Sequence, residues 1–277
     1  MSILEQSGFI DVSGRAIYGT HYLPADAPPR AALLLVEPFG EEKRCAFRML
    51  VRLARQLATR GVAVMRYDAS GTGDSAGKHG EAEWRHWQDE LAAQIALARE
   101  LPGKPPLMLA GARAGALLAA EAAARIAATG GDLRALILLE PLLSGDELLR
   151  DLERRQKIKD MMSGGAKNAA AAELWSAGQP ADFGGFLVGS AMAEQLRAAQ
   201  LQTSLAATPA DCALQLLRVS GAKNFPPAWQ GLVAAVTARA GSLAQVIADK
   251  PFWGQLDYYE SDVVIDAVTD FVVSHIG

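Results

Sequence analysis

The chain has 277 residues, 50% of them hydrophobic and 21% charged, with a formal net charge of -4 at pH 7 and two cysteines. That length and apolarity suffice to bury a full core. The acidic balance lacks the clustered basic excess of a nucleic-acid binder, and two distant cysteines call for no disulfide, which fits a reducing cytoplasm.

The opening MSILEQSGFIDVSGR has neither a charged region followed by a long apolar run nor a small-residue cleavage site, so no secretory signal is expected. Charges break every apolar stretch well short of the roughly 20 residues that span a bilayer. Phe9 to Val12 and Ala16 to Tyr22 flank Ser13-Gly14 and read as a hairpin of edge strands. AALLLV, residues 31–36, is the continuous apolar run of a strand buried on both faces. Helical periodicity follows over 43–60, a buried strand over 62–67, an amphipathic helix over 81–100, a strand over 107–110, an Ala-rich helix to about 127 and a strand over 135–139. Strand and helix in alternation predict an α/β fold with a doubly wound, mostly parallel sheet. Ligands of such sheets sit at the carboxyl ends of the strands. That rule selects residues 37–42, 68–77, 111–115 and 140–141. From 144 to 206 the rhythm gives way to a mostly helical, Ala- and Met-rich stretch. It resumes with a strand at 213–219, a helix near 227–239, a strand at 243–247 and a closing helix from about Ser261. The expected organisation is a core of 1–143 and 207–277 with a helical cap, 144–206, over the loop rim.

Residues 107–127, LMLAGARAGALLAAEAAARIA, form the strand, tight turn and helix in which hydrolases write G-x-S-x-G and hold a nucleophilic serine at the sharpest point. Here that position is Arg113, between the small residues that a crowded turn requires. A plain strand-to-helix connection is the alternative reading. Gly71-x-Gly73 in RYDASGTGDSAG invites a dinucleotide reading. It follows an acidic Asp68, lacks a ribose-binding acid at the usual distance and has its third glycine one place late, so a structural turn and no cofactor are expected.

EPFGEEK at 37–43, DASGTGDSAG at 68–77 with EAEWRHWQDE after it, GARAGALLAAE at 111–121, LLEPLLSGDELLRDLERR at 138–155 and GGFLVGSAMAEQL at 184–196 together resemble the α/β-hydrolase fold. Within it they resemble the exosortase A system-associated hydrolases of the second type, over roughly residues 30–205. The resemblance implies a hydrolase-type sheet and a setting beside exopolysaccharide and protein-sorting machinery. It carries no specific activity, and it implies that an arginine in the elbow is not private to this chain.

A serine hydrolase needs a nucleophile, a histidine base and an orienting acid. None of His21, His79, His86 and His275 lies in 250–260, the loop where the base belongs by analogy with the fold. His275 is expected at the end of the closing helix, His21 in the edge hairpin and His86 on a helix beside two tryptophans. His79 alone falls near the rim. The acid position, Gly221 to Asn224, holds no carboxylate, and Ser144 and Ser190 have no visible base. Scattered histidines without H-x-x-x-H or C-x-x-C spacing give no metal site.

A guanidinium at the elbow meets amides and a helix N-terminus that favour negative charge, so a carboxylate must stand close. Glu41 and Glu42 supply it from the loop that, with Phe39 and Gly40, would otherwise offer an oxyanion-hole amide. The leading expectation is an ion pair of Arg113 with Glu41 or Glu42, bidentate where geometry allows. The competing one leaves Arg113 free for an anionic group of a ligand. The candidate site is Arg113 with Ala114, Phe39, Gly40, Glu41, Glu42, Asp68 and Glu140, and carboxylates beside Arg113 are expected to have lowered pKa values. Two functions follow: a protein without the triad that binds a small-molecule or acyl ligand, or a partner, in surface polysaccharide production; or a hydrolase or acyl transferase with a non-standard site around Arg113, Glu41 and Glu42. Trp175, Phe183 and Phe186 either line an apolar pocket or anchor the cap.

Overall fold

The computed structural model describes residues 2–163, 169–251, 253 and 258–276. Strands β1 (Ile3–Val12) and β2 (Arg15–Pro24) pair antiparallel around a two-residue turn. Ser13 and Gly14 both take positive φ, 54° and 80°, the backbone that matches the twist of a tight hairpin. Then follow β3 (Ala31–Val36), α1 (Glu41–Thr59), β4 (Val62–Tyr67), α2 (Trp84–Arg99), β5 (Leu107–Ala112), α3 (Ala114–Ala128) and β6 (Ala135–Leu139). An insertion holds α4 (Gly145–Ser163), α5 (Ala171–Ser176), the paired strands β7 (Ala181–Asp182) and β8 (Leu187–Val188), α6 (Ser190–Ala198) and α7 (Leu201–Ala206). The chain closes with β9 (Ala213–Val219), α8 (Gln230–Thr237), β10 (Leu243–Ile247) and α9 (Asp262–Ser274), capped by Ser261, whose hydroxyl accepts from the Val264 amide.

The main sheet runs β1-β2-β4-β3-β5-β6-β9-β10. It is parallel from β4 to β10 and antiparallel at the hairpin edge. This is an α/β-hydrolase architecture. Side-chain alternation divides the apolar interior into two layers: Ala32, Leu34 and Val36 of β3 pack on the face of α2, α3 and α8, while Ala31, Leu33 and Leu35 pack on the face of α1 and α9. Helix α3 is Ala-rich because it is enclosed; Ala116, Ala119, Ala120 and Ala123 are fully buried, which lets neighbouring backbones come close. Helix α7 packs on α3 with Leu201 and Leu205 buried in the same layer. No helix among the described residues is long and apolar enough to cross a membrane.

Candidate functional site

The turn from β5 to α3 is an elbow in backbone as well as in sequence. Arg113 has φ 53° and ψ -118°, a conformation that costs an L-residue strain and persists only where packing enforces it. The enforcement comes from the flanking glycines. A Cβ at Gly111 would collide with the backbone of Gly115 and Ala116, and one at Gly115 with the carbonyls of Val36 and Glu37. Only glycine fits where strand, turn and helix come this close.

The Arg113 side chain is held rather than free. Its Nε donates to Glu42 Oε1 at 3.0 Å and its Nη1 to the Glu140 backbone oxygen at 3.3 Å. Glu42 Oε1 also accepts from Arg155 Nη2 at 2.8 Å, and Arg155 bridges to Asp151 Oδ2 at 2.7 Å. Burial lowers the Arg155 pKa, but Glu42 and Asp151 outweigh it and the net shift is upward. Of the two expected partners, the structure therefore selects Glu42. Glu41 points elsewhere, to Lys159 Nζ at 2.5 Å. Nor is the pair bidentate, because the guanidinium divides itself between a carboxylate and a carbonyl. The reason is helical phase: α1 begins at Glu41, two residues earlier than the periodicity indicates, and successive side chains on a helix point about 100° apart.

Glu140, just past β6, adopts a positive φ of 46°. Its Oε2 accepts from the Val219 amide and from Trp253 Nε1, each at 3.0 Å. Trp253 belongs to the loop after β10, and the Arg113 guanidinium lies 5.8 Å from its ring centroid. At the strand tips an indole thus joins the elbow side chain to a carboxylate. Burial raises the Glu140 pKa, while the Val219 and Trp253 hydrogen bonds and the Arg113 charge pull less strongly the other way. The expectation that carboxylates near Arg113 have lowered values fails for this one because desolvation outweighs the cation.

Asp68 belongs to a second network. Lys43 Nζ contacts Asp68 and lies 3.0 Å from Glu37 Oε2, and Arg66 pairs with Glu37. Two cations and two anions alternate there. The glycine-rich turn wraps Asp68: a Cβ at Gly73 would overlap its carboxylate, its Oδ2 accepts from the Asp74 amide, and the Gly71 amide donates to the Ala76 carbonyl. The Asp74 and Gly71 amides thus bond within the turn itself.

Phe39 and Gly40 border a cavity of about 460 Å3 beside this network, walled by Tyr67, Trp87 and Leu118 of the core and by Phe186 of the insertion. His79 stands on the same wall, its Nδ1 2.6 Å from the Leu187 carbonyl and its ring against Phe39 and Phe186. Burial lowers its pKa. Two other histidines lie apart: His275 at the C-cap of α9 contacts the Phe271 and Gly241 carbonyls, and His21 pairs with Gln6 in the hairpin; His86 stands on α2 beside Trp87. Ser144 receives the Glu147 amide at the start of α4, and Ser190 is exposed at the start of α6. The insertion aromatics divide between the two roles expected for them: Phe186 lines the cavity, while Trp175 donates to the Val188 carbonyl and rests on Phe183. Among the described residues no group of three histidine, cysteine or acidic side chains is placed to hold a metal ion.

Asp151, Arg155 and Lys159 escape a sequence reading confined to strand tips, although their i, i+4, i+8 spacing marks one face of α4. Trp253 carries no such signal.

The sequence profile described as serine aminopeptidase, S33, matches residues 27–170, over half the chain. The chain belongs to the serine aminopeptidase S33 family. Solved structures similar to this S33 chain include Est1E from Butyrivibrio proteoclasticus with ferulic acid bound, at 18% identity and a TM-score of 0.68, covering 97% of this chain and 98% of that one. A thermostable carboxyl esterase from Bacillus coagulans in complex with glycerol is 14% identical, with a TM-score of 0.63 and full coverage of both chains. A hypothetical protein of Pseudomonas aeruginosa is 17% identical, with a TM-score of 0.61, covering 99% of this chain and 94% of that one. At these identities the likeness is one of fold. No curated protein matches the S33 chain.

Proposed function

We propose that this chain is a non-hydrolytic member of the S33 family, a binding protein that holds a small apolar or acyl ligand in the cavity between its strand tips and a cap formed by residues 144–206. The observation that carries this reading is the side chain at the elbow. An alkoxide nucleophile needs a hydroxyl and a neighbouring imidazole, whereas Arg113 offers a guanidinium bound to Glu42 and the Glu140 carbonyl. Among the described residues of the loop that should bring the base, Trp253 neighbours the elbow, and its indole neither accepts nor relays a proton. The ion-paired cluster of Glu42, Arg113, Arg155 and Asp151 gathers at the elbow, the turn at which hydrolases hold the nucleophile that attacks an ester. The cavity, of a size suited to a small molecule, lies beside it. The sequence motifs shared with the exosortase-associated type support a role in surface polysaccharide production, and two buried cysteines far apart in sequence suit a reducing cytoplasm.

A panel of short-chain nitrophenyl esters tests the reading. The expected outcome is release at the buffer rate by the wild-type chain and by Arg113→Ala alike. Turnover that disappears in Arg113→Ala assigns the alternative, a hydrolase or acyl transferase built on Arg113, Glu41 and Glu42.

A further inference from the structure

The cavity has a charged rim and an apolar interior, and the asymmetry specifies its ligand. Its floor is made of buried Phe39, Tyr67, Trp87 and Leu118. Its charged wall cancels internally, since Lys43 answers Glu37 and Asp68, and Arg66 answers Glu37 again. Arg44 is different. It lines the same cavity from an exposed position in the first turn of α1 and has no ion-pair partner among the described residues. Phe47 and Tyr258, also exposed, flank the opening at 45% and 61% of their full accessibility. One guanidinium left uncompensated among the described residues, at the mouth of an aromatic pocket, matches one unit of negative charge on a molecule whose remainder is apolar.

We infer that the cavity binds an amphipathic monocarboxylate, its ring or acyl body against Phe39, Trp87 and Phe186 and its carboxylate at Arg44. A doubly charged head exceeds what one guanidinium neutralises. An uncharged ligand leaves Arg44 unused. The inference rests on the reading of the cavity as a ligand site and narrows it to one chemical class.

Trp87 in the cavity wall reports occupancy through its fluorescence. Titration with 3-phenylpropanoate and with 3-phenylpropanol, which shares the body and lacks the charge, separates the two terms. The wild-type chain is expected to bind the carboxylate more tightly than the alcohol. Arg44→Ala, at an exposed position that leaves the fold intact, is expected to weaken the carboxylate about two- to fivefold, the range of an exposed ion pair, with the alcohol unchanged. Arg44→Lys retains most of the preference, and high salt removes it. Equal affinity for the two probes, or an equal loss of both in Arg44→Ala, overturns the inference and leaves the ligand site standing. Failure of both probes to perturb the fluorescence overturns the ligand site itself.

Discussion

Glu42 sits between two guanidiniums, Arg113 at 3.0 Å and Arg155 at 2.8 Å, and its carboxylate is almost entirely removed from water. Its second oxygen, Oε2, is buried with no hydrogen-bond partner among the described residues. A buried carboxylate so placed is held by its cations, and they by it. Glu42→Gln keeps the shape and removes the charge, leaving two clustered cations with Asp151 as their remaining anion. The expected loss of stability is about 3–5 kcal/mol, read as a lower urea midpoint at unchanged slope. A loss below about 1 kcal/mol contradicts the buried pairing, since that is the scale of an exposed ion pair. The need for a carboxylate beside Arg113 was legible in the sequence, because the elbow and the loop after β3 converge in any hydrolase-type sheet. The choice between Glu41 and Glu42 was not. It turns on the first residue of α1, which apolar periodicity cannot place because the two glutamates precede the apolar stripe.

Helix α4 is fastened to the core in two different ways. Its first half is held by burial, with Leu148 and Leu149 in the apolar layer. Its second half is held by charge: Arg155 pairs with Glu42 and Lys159 with Glu41 in the first turn of α1, while Met161 and Met162 lie 76% and 84% exposed. Replacing Arg155 and Lys159 together by glutamine is expected to speed amide exchange in the second half of α4 by about tenfold, the equivalent of roughly 1.4 kcal/mol. Exchange in the first two turns of α3, where Ala114 to Ala120 are all buried, remains unchanged. Unaltered exchange in α4 assigns its attachment to packing alone. Four of the elements around the site could be read from their own patterns, since β3, β4, β5 and β6 are short apolar runs buried on both faces. The β7-β8 ribbon could not: two-residue strands carry no period, and the turn at Gly184 and Gly185 shows in the sequence only as small residues.

Across the whole molecule, the eight-stranded sheet brings the carboxyl ends of β3, β4, β5 and β6 to one rim, to which the insertion between β6 and β9 contributes Arg155 and Phe186. The rim was legible in the sequence because alternating strands and helices fix which ends of the strands face the ligand side. Its division into two compartments was not. It depends on long-range pairs, Arg113 with Glu42 and Lys43 with Asp68, and on Trp253 reaching Glu140 from a loop with no periodicity of its own. One compartment is occupied by ion pairs, and the other is open and aromatic. The central claim is that the occupied compartment holds no activated hydroxyl or thiol. The most direct measurement is the intact mass of the full chain after incubation with a fluorophosphonate, which phosphonylates activated serines. The account predicts an unchanged mass, with the chain still folded and the cavity still quenched by ligand. A single stoichiometric adduct, mapped by peptide mass to a serine at the strand tips, contradicts it.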